Sequence, residues 1–368
     1  MHRIDNSTRL IDGNGAGKDG FTEGNPGTVA ATRVTDDWLN DSQEEVCNVI
    51  ERTGLTLVKG DQDQLSESLS RLFRDITLSN WTKQTPANAA HDFTGSATNG
   101  NITCLVTFNG DIEYTYDGLN WTSVTLGSNL FSIAYGNGYW VAVGNAGALY
   151  YTTDPTGAWT SNTQGSGQLL TVAYGNGYWV AAGSLGILYY RATNPVGTWT
   201  SNTQAGGNAI FAIAYGNGYW VAACYYATTN LFYKATDPTG AWTSNTQGTQ
   251  SLYAVAYGDI KGVGTWIVGG TLGTIYTKLS IPSGAWTFRV GASSATIHGL
   301  IMANDFAVVV FNISVSLKGI ETTYDGITFT NRPNTTAEDL TAIIYAHNLF
   351  IAAGTNGEIH TSLRLGIY

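Results

Sequence analysis

The sequence has few charged residues, few cysteines and no long apolar run, and each shortage argues against a class of protein. Charged residues make up 12% of the 368 residues and the formal net charge is −10, which disfavours nucleic acid or an anionic membrane as partner because both need a basic face. Cys47, Cys104 and Cys224 form no CxxC pair, so neither disulfides nor a zinc site are expected. With no segment of the ~18–20 apolar residues that span a membrane and no signal peptide, we expect a soluble protein without membrane insertion, assembled in a reducing cytoplasm.

The chain is rich instead in glycine, aromatic residues and internal repeats. Residues 134–164 return almost unchanged at 173–204 and 214–247, and degraded copies follow. An anchor aromatic recurs every 38 to 44 residues, at Trp81, Trp121, Trp159, Trp199, Trp242, Trp286 and Phe329. A period of ~40–45 residues is the length of one four-stranded propeller blade. Seven anchors therefore predict a mainly β protein, a seven-bladed β-propeller, preceded by a small α-helical N-terminal module.

The composition divides the chain into three parts. Residues 1–34 lack periodicity and are expected to form an extended arm. Residues 35–76 predict a two-helix module for attachment or oligomerisation, and residues 77–368 predict the propeller. The last blade has only three strand patterns and no anchor aromatic, so we expect a strand at 79–83, which carries Trp81, to close the ring as its outer strand.

The two predicted helices each carry an apolar stripe. On the first, over residues 36–53, five side chains recur at helical spacing, namely Trp38, Leu39, Val46, Val49 and Ile50. On the second, Leu65, Leu69, Leu72 and Phe73 do the same. Two helices of this size bury too little surface to stand alone, so the stripes need a second copy of the chain or a docking protein.

Three segments in this region carry a family resemblance. GAGKDGFTEGNP at 15–26, ATRVTDDWLNDSQEEVCNVIERTGLTL at 31–57 and DQDQLSESL at 61–69 resemble the N-terminal module of bacteriophage tail fibre proteins, over about residues 1–75. The resemblance implies a virion protein assembled in the bacterial host cytoplasm. Its N-terminal module would bind tail or baseplate proteins and its distal part the host surface. It also implies a homotrimer, the usual state of tail fibres.

The turn before the outer strand repeats a Thr-x-Asp-x-Gly-type pattern ending in the anchor aromatic. It resembles the Asp-box of sialidase-like propellers, and we interpret it as a structural turn in which the acid accepts backbone N–H groups and the aromatic packs between blades. Calcium binding or catalysis by these acids is the less favoured alternative. The residues concerned are Asp117, Asp154, Asn194, Asp237 and Asp325, with Trp121, Trp159, Trp199 and Trp242.

The residue inventory does not favour an enzyme. A sialidase-like glycan-cleaving site needs an arginine cluster, an acid/base carboxylate and a Tyr–Glu pair, whereas the propeller's arginines and glutamates are scattered through the sequence. The histidines show no metal-ligand spacing. We expect no catalytic residue, no metal and no cofactor, with glycan cleavage kept as a disfavoured alternative.

The face formed by the blade-to-blade loops and the loops between second and third strands is the expected binding face. Flat aromatic rings and amides suit uncharged sugars. The candidate ligand-binding residues are Tyr225, Tyr226, Asn230, Gln164, Gln204 and Gln247, with simple packing and ordinary turn chemistry as the open alternatives. The leading hypothesis is a receptor-binding protein that recognises a host glycan or protein. A purely structural tail or baseplate component is the rival.

Overall fold

The structure, a computed structural model, divides the chain into two compact units, Met1–Ile76 and Thr77–Tyr368. The expected arm at 1–34 lies outside the described residues, as do Tyr226 and the side chains of Trp38, Leu39 and Phe73. The described residues are 36–52, 55–58, 63–204, 207–225, 229–291, 294–303, 305–312, 319–332, 336 and 338–362.

The N-terminal unit contains α1 (Asp36–Arg52) and all but the last two residues of α2 (Gln64–Leu78). In the expected apolar face of α1, Ile50 is buried, Val49 is half-buried and Val46 is exposed. Acidic residues at the start of α1 suit the positive end of its dipole.

Helix α2 buries polar side chains and exposes apolar ones. Gln64 and Ser68 are buried, whereas Leu65 and Leu69 are exposed. The Gln64 side chain accepts a hydrogen bond from the Val58 N–H and donates one to the Thr56 carbonyl, which fastens α2 to the preceding link. Of the expected apolar face of α2, Leu65 and Leu69 are thus exposed and Leu72 is half-buried.

The propeller contains twenty-eight strands in the described residues, all in antiparallel pairs. In chain order they are β1 (Trp81–Gln84), β2 (Phe93–Thr98), β3 (Thr103–Thr107), β4 (Asp111–Thr115), β5 (Thr122–Thr125), β6 (Leu130–Gly136), β7 (Tyr139–Gly144), β8 (Leu149–Thr152), β9 (Thr160–Ser161), β10 (Leu169–Gly175), β11 (Tyr178–Gly183), β12 (Leu188–Ala192), β13 (Thr200–Ser201), β14 (Ile210–Gly216), β15 (Tyr219–Cys224), β16 (Leu231–Ala235), β17 (Thr243–Ser244), β18 (Leu252–Ile260), β19 (Val263–Gly270), β20 (Thr274–Leu279), β21 (Thr287–Val290), β22 (Ile297–Ala303), β23 (Phe306–Phe311), β24 (Ile320–Thr323), β25 (Thr330–Asn331), β26 (Leu340–Ala346), β27 (Leu349–Gly354) and β28 (Ile359–Ser362).

These strands form seven four-stranded sheets, which confirms the predicted seven-bladed propeller. Blades one to six each use four consecutive strands, beginning with β2–β5. Blade seven has the order β1-β28-β27-β26, with Trp81 paired to Ser362 and Gln84 to Ile359. The first strand of the propeller is therefore the outer strand of its last blade, which closes the ring and leaves no long open edge.

The core lies between adjacent blades and is built from the repeated Tyr/Trp pairs. Trp140, Trp179, Trp220 and Trp266 are fully buried. Each packs against the tyrosine across its hairpin, as in Tyr135–Trp140, with ring centroids 5.0 Å apart. A tryptophan buries roughly 200 Å², so one such residue contributes on the order of 5 kcal/mol of transfer free energy. This explains why the repeats keep it.

Candidate functional site

Every inner strand carries a β-bulge at its second residue. In blade two the register shifts between Leu130 and Ser132, and the same shift occurs in each of the other six inner strands. A bulge re-aims a side chain, and here the seven bulged residues line a cavity of about 210 Å³ at the centre of the ring. The seven are Thr94, Phe131, Leu170, Phe211, Tyr253, His298 and Thr341.

One arc of this ring is aromatic and uncharged. Phe211 stacks on Tyr253 with ring centroids 4.4 Å apart, and Tyr253 lies 5.8 Å from His298. Burial lowers the pKa of His298, an effect opposed by Asp339 and by a hydrogen bond with Asn312, so the imidazole is neutral at pH 7. Burial also raises the pKa of Tyr253.

The opposite arc is polar, but its hydroxyls are already in use. The Thr94 hydroxyl donates to the Leu130 carbonyl at 2.9 Å, and the Thr341 hydroxyl donates to the Phe93 carbonyl. Both bonds join neighbouring blades, so this arc holds the ring together.

Exposed apolar side chains lie on the same face of the ring as the start of the inner strands, where the cavity lies. They sit on the loops between second and third strands, which hydrogen-bond to the residues before the inner strands, as Ser184 does to Gln168. Leu185 and Leu272 are 70% and 68% exposed. We call these two residues with Tyr225 and Phe108, which are also exposed, the loop-tip rim.

The two leucines of the rim have left-handed backbone conformations. Leu185 has φ 57° and Leu272 has φ 56°, and the corresponding residue of blade seven is Asn356, with φ 51°. Asparagine tolerates this conformation, whereas a bulky apolar residue resists it. A strained and exposed leucine contributes nothing to the core, which points to a contact outside the chain.

Among the sequence-predicted ligand residues of the long blade-four loop, Tyr225 is half exposed and Asn230 is not a surface residue. The Asn230 amide is fully buried and donates to the Gln247 and Gln250 carbonyls at 2.6 and 2.7 Å. Its oxygen accepts the Gln247 N–H at 2.9 Å. The prediction of Asn230 as a ligand-binding residue is wrong, because its side chain ties its own loop to the following one.

The three predicted glutamines also act between blades. The side-chain oxygens of Gln164, Gln204 and Gln247 accept the backbone N–H of Trp199, Trp242 and Trp286 at 3.2, 3.0 and 3.0 Å. Their amide nitrogens donate to the asparagine two residues earlier, at 2.9, 2.6 and 2.7 Å.

Those asparagines complete an inter-blade staple. Asn202, for example, donates to the Pro238 and Gly240 carbonyls of the next blade at 3.0 and 2.7 Å. With both ends of each amide occupied, these glutamines are not available as ligand donors, and the prediction that they bind a ligand is corrected to a structural role. Their near-verbatim repetition was the signal for this role.

The aspartate turns lie at the opposite ends of the blades. Asp117 Oδ1 accepts the N–H groups of Leu119 and Asn120 at 2.8 and 2.9 Å, and hydrogen bonding, first from Asn120, holds the pKa of this carboxyl well below its usual range. Asp325 makes the same pair of bonds. Single backbone bonds are accepted by Asp154, Asn194 and Asp237.

The anchor tryptophans are fixed by the same turns. The indole N–H of Trp159, Trp199, Trp242 and Trp286 donates to the carbonyl of the proline four residues earlier, at 3.0 to 3.3 Å. The turn of blade five, 281–284, lacks the acid but keeps this bond to Pro282. The proline carbonyl is a turn feature that sequence reasoning missed.

A buried acid cluster lies where the closing strand passes into blade one. Glu113 accepts the N–H groups of Ala87 and Asn88 at 2.8 and 3.1 Å, and His91 Nδ1 lies 3.1 Å from Asp111 Oδ2. Burial raises the pKa of Glu113 to about 7, the two backbone bonds oppose this, and Asp111 adds to it. The Glu113 side chain is fully enclosed, so it serves to hold the connection between β1 and β2.

Two other kinds of feature are absent from the described part of the chain. No group of three histidine, cysteine, aspartate or glutamate side chains there is placed to hold a metal ion. No helix there is long and apolar enough to cross a membrane.

Comparisons with known proteins agree with the fold. No protein-family model matches the chain. It is 51% identical over 73 residues to the uncharacterized protein StfP of Escherichia coli K12, which covers 20% of this chain and 35% of that protein. The chain thus spans about a third of the length of that relative.

Solved structures resemble the propeller. YCF48 from Cyanidioschyzon merolae matches with a TM-score of 0.61 at 15% identity, over 77% of this chain and 98% of that one. A structure of YCF48 bound to D1 peptide matches with a TM-score of 0.60 at 18% identity, over 77% and 96%. The computationally designed Ika8 protein matches with a TM-score of 0.56 at 13% identity, over 76% and 99%. At these identities the likeness concerns the fold alone.

Proposed function

We propose that this protein is a bacteriophage tail fibre or receptor-binding protein without catalytic activity. Its N-terminal module attaches to the tail or baseplate, and its propeller binds the host surface through a glycan. The observation that carries the proposal is the loop-tip rim, in which strained leucines are held in solvent on the face of the ring that carries the central cavity. The N-terminal resemblance to tail fibres and the likeness to StfP support the attachment role.

The chemistry of the rim and cavity suits a neutral sugar. Stacked Phe211 and Tyr253, with Tyr225 half exposed on the rim, offer apolar faces to a sugar ring. His298 is neutral, so no fixed cation at the ring would select a charged group. Weak sites of this kind gain strength by avidity, and the exposed Leu65 and Leu69 of α2 support a homotrimer that would supply it.

A contact with another virion protein is the second candidate. It is favoured by one observation, that the most exposed rim residues, Leu185 and Leu272, are aliphatic. The structure described as YCF48 bound to D1 peptide is of a similarly folded protein with a peptide, and it makes such a contact physically reasonable here. In that case the propeller is a structural tail or baseplate component.

The proposal is tested with labelled full-length protein on a panel of enterobacterial strains, starting with Escherichia coli K12. Binding to at least one strain is expected, with loss after periodate oxidation of surface sugars but not after protease treatment. A Leu185→Asn/Leu272→Asn variant should lose binding, and Val196→Asn on the opposite face should keep it. Binding that survives periodate would redirect the proposal to a protein receptor. Absence of binding by a folded oligomer across the panel would favour the structural role.

A further inference from the structure

A second cavity lies outside the loop face, between blades five and six. It has a volume of about 530 Å³ and lies on the face of the hairpin and aspartate turns. Lys261, Lys278 and Arg289 line it. The chain is acidic, and only nine of its seventeen lysines and arginines fall between residues 77 and 368. Three of these nine therefore line one cavity. The nine are Lys83, Arg191, Lys234, Lys261, Lys278, Arg289, Lys318, Arg332 and Arg364.

The cavity lies at a position where the preceding blades have an inter-blade bond. In blades two, three and four the hairpin asparagines Asn137, Asn176 and Asn217 donate to the Thr193, Thr236 and Ser280 carbonyls of the next blade, at 2.8, 2.7 and 2.9 Å. These bonds hold each hairpin against the neighbouring aspartate turn.

Blade five departs from the repeat at this position. Its first two strands have nine and eight residues, compared with seven and six in blades two to four. Its turn carries Lys261, with φ 53°, where those blades carry asparagine. In the described residues Lys261 makes no hydrogen bond to the turn of blade six, and the cavity occupies the gap between them.

Lys278 and Arg289 each have more N–H groups than their hydrogen bonds within the described residues use. Lys278 Nζ donates to the Ala285 carbonyl at 2.9 Å, as Arg191 does to Thr198 in blade three, so its position is part of the repeat. Arg289 belongs to β21, which has four residues, compared with two in the outer strands of blades two to four. It donates through Nε to the Thr277 hydroxyl at 3.2 Å, and its planar fork has further N–H groups suited to a carboxylate or phosphate.

The remaining lining is compatible with a bound anion. Asp325 is the one acid among the lining residues, and its Oδ1 already accepts the N–H groups of Ile327 and Thr328 at 2.7 and 2.8 Å. Val263, Leu279 and Ile327 are exposed and line the same cavity. Two lysines and an arginine against one aspartate leave an excess positive charge, beside an aliphatic wall.

We propose that this groove binds an anionic saccharide unit, one that carries a carboxylate or a phosphate. We infer that the ligand is a saccharide from the proposed function. We infer its negative charge from the presence of Lys261, Lys278 and Arg289 in the groove. The anionic group lies between Lys261 and the guanidinium of Arg289, and the ring lies against the aliphatic wall. The site is separate from the loop-tip rim, which is on the opposite face, and it gives the propeller a second and charge-selective contact.

Isothermal titration of the full-length protein tests this with three probes: an oligomer of galacturonic acid, glucose 6-phosphate and neutral maltotriose. We expect at least one anionic probe to bind, more weakly at 200 mM than at 20 mM salt because the charges are partly exposed, and maltotriose not to bind at the groove. Lys261→Asn, which restores the residue of the repeat, and Arg289→Gln should each weaken binding at least tenfold. The two anionic probes distinguish a carboxylate from a phosphate.

The matched control is Lys234→Gln in blade four, which removes the same charge at the strand position of Lys278 without touching the groove. It should leave probe binding unchanged. Equal weakening by Lys234→Gln, or no binding of either anionic probe at 20 mM salt, would overturn the proposal. Because cell binding is read separately with the loop-tip variant, loss of the groove proposal leaves the proposed function intact. Loss of the proposed function would remove the argument for a saccharide but not the argument for an anion.

Discussion

Lys83 Nζ lies 2.7 Å from Glu358 Oε1, an ion pair between residues 275 positions apart that joins the first strand of the propeller to the last. The other carboxylate oxygen of Glu358 lies 2.7 Å from Nε2 of His360, a fully buried histidine. Burial lowers the pKa of His360, and the bond to Glu358 opposes this. One carboxylate thus connects the two ends of the ring and bonds a buried imidazole through its Nε2 atom.

The two partners of this pair should differ in their effect on stability. Glu358→Ala leaves His360 without its acceptor, and we expect the free energy of unfolding to fall by about 2–3 kcal/mol. Lys83→Met should cost under about 1 kcal/mol, because the Lys83 side chain is 57% exposed and solvent screens it. Urea unfolding followed by tryptophan fluorescence measures both. Equal losses for the two variants would mean that the bond to His360 contributes nothing.

The ring itself could be predicted from the sequence, because the spacing of the anchor aromatics is a direct record of the blade length. The closing strand followed from one missing anchor, which Trp81 supplies. The glutamines of the inter-blade staples were predicted as ligand-binding residues for a physical reason. The linear sequence shows no partner for a loop amide such as Gln204, yet in the fold its partner is the backbone N–H of Trp242, 38 residues later and in the next blade.

Two further features could not be predicted from the periodicity of the sequence. The bulge that turns Tyr253 and its six equivalents into the central cavity is a shift of one residue in pairing register, which a hydrophobic pattern does not record. The groove at blade five did leave a signal, because Lys261 stands where three earlier blades have asparagine. Its meaning depended on the hydrogen bond that those asparagines make, which only the structure supplies.

The inter-blade staple predicts a stability effect without a binding effect. Gln204→Ala removes the acceptor of the Trp242 N–H, and we expect a loss of about 1–2 kcal/mol in the free energy of unfolding. Thr203→Ala, at the exposed residue between the two staple amides, is the control and should change little. Cell binding by folded Gln204→Ala should match the unsubstituted protein. Selective loss of binding at unchanged stability would restore the ligand role that the structure corrects.

Glu113 predicts a specific dependence of stability on pH. Its pKa is raised from an ordinary 4.5 to about 7, so the folded chain keeps a proton that the unfolded chain releases. Below pH 4.5 both states are protonated and the group has no effect. As the pH rises from 4.5 to 7 stability is lost, and above 7 the loss is constant at about 3 kcal/mol.

Glu113→Gln should remove this component. Denaturation between pH 4 and 8 should show a difference in unfolding free energy, variant minus unsubstituted, that rises through the window 4.5 to 7 and then levels. Asp305→Asn, at an exposed acid, should show no such rise. A difference that stays flat across the whole range would indicate that His91 and the bonds from Ala87 and Asn88 keep the Glu113 carboxyl ionised.

The leucines of the loop-tip rim predict a gain in stability coupled to a loss of adhesion. Leu185→Asn and Leu272→Asn place at φ 57° and 56° the residue that blade seven already uses, and we expect each to raise the unfolding free energy by about 0.5–1 kcal/mol by relieving backbone strain. Thermal or urea unfolding measures the gain, and Val196→Asn, which is exposed on the opposite face, should give none. The same substitutions should abolish cell binding.

If leucine lowers stability at a position where asparagine fits, and its replacement reduces only binding, then the role of that leucine is its contact with the binding partner. If the variants are more stable and bind as before, the rim has no part in recognition and the groove at Lys261 becomes the leading contact.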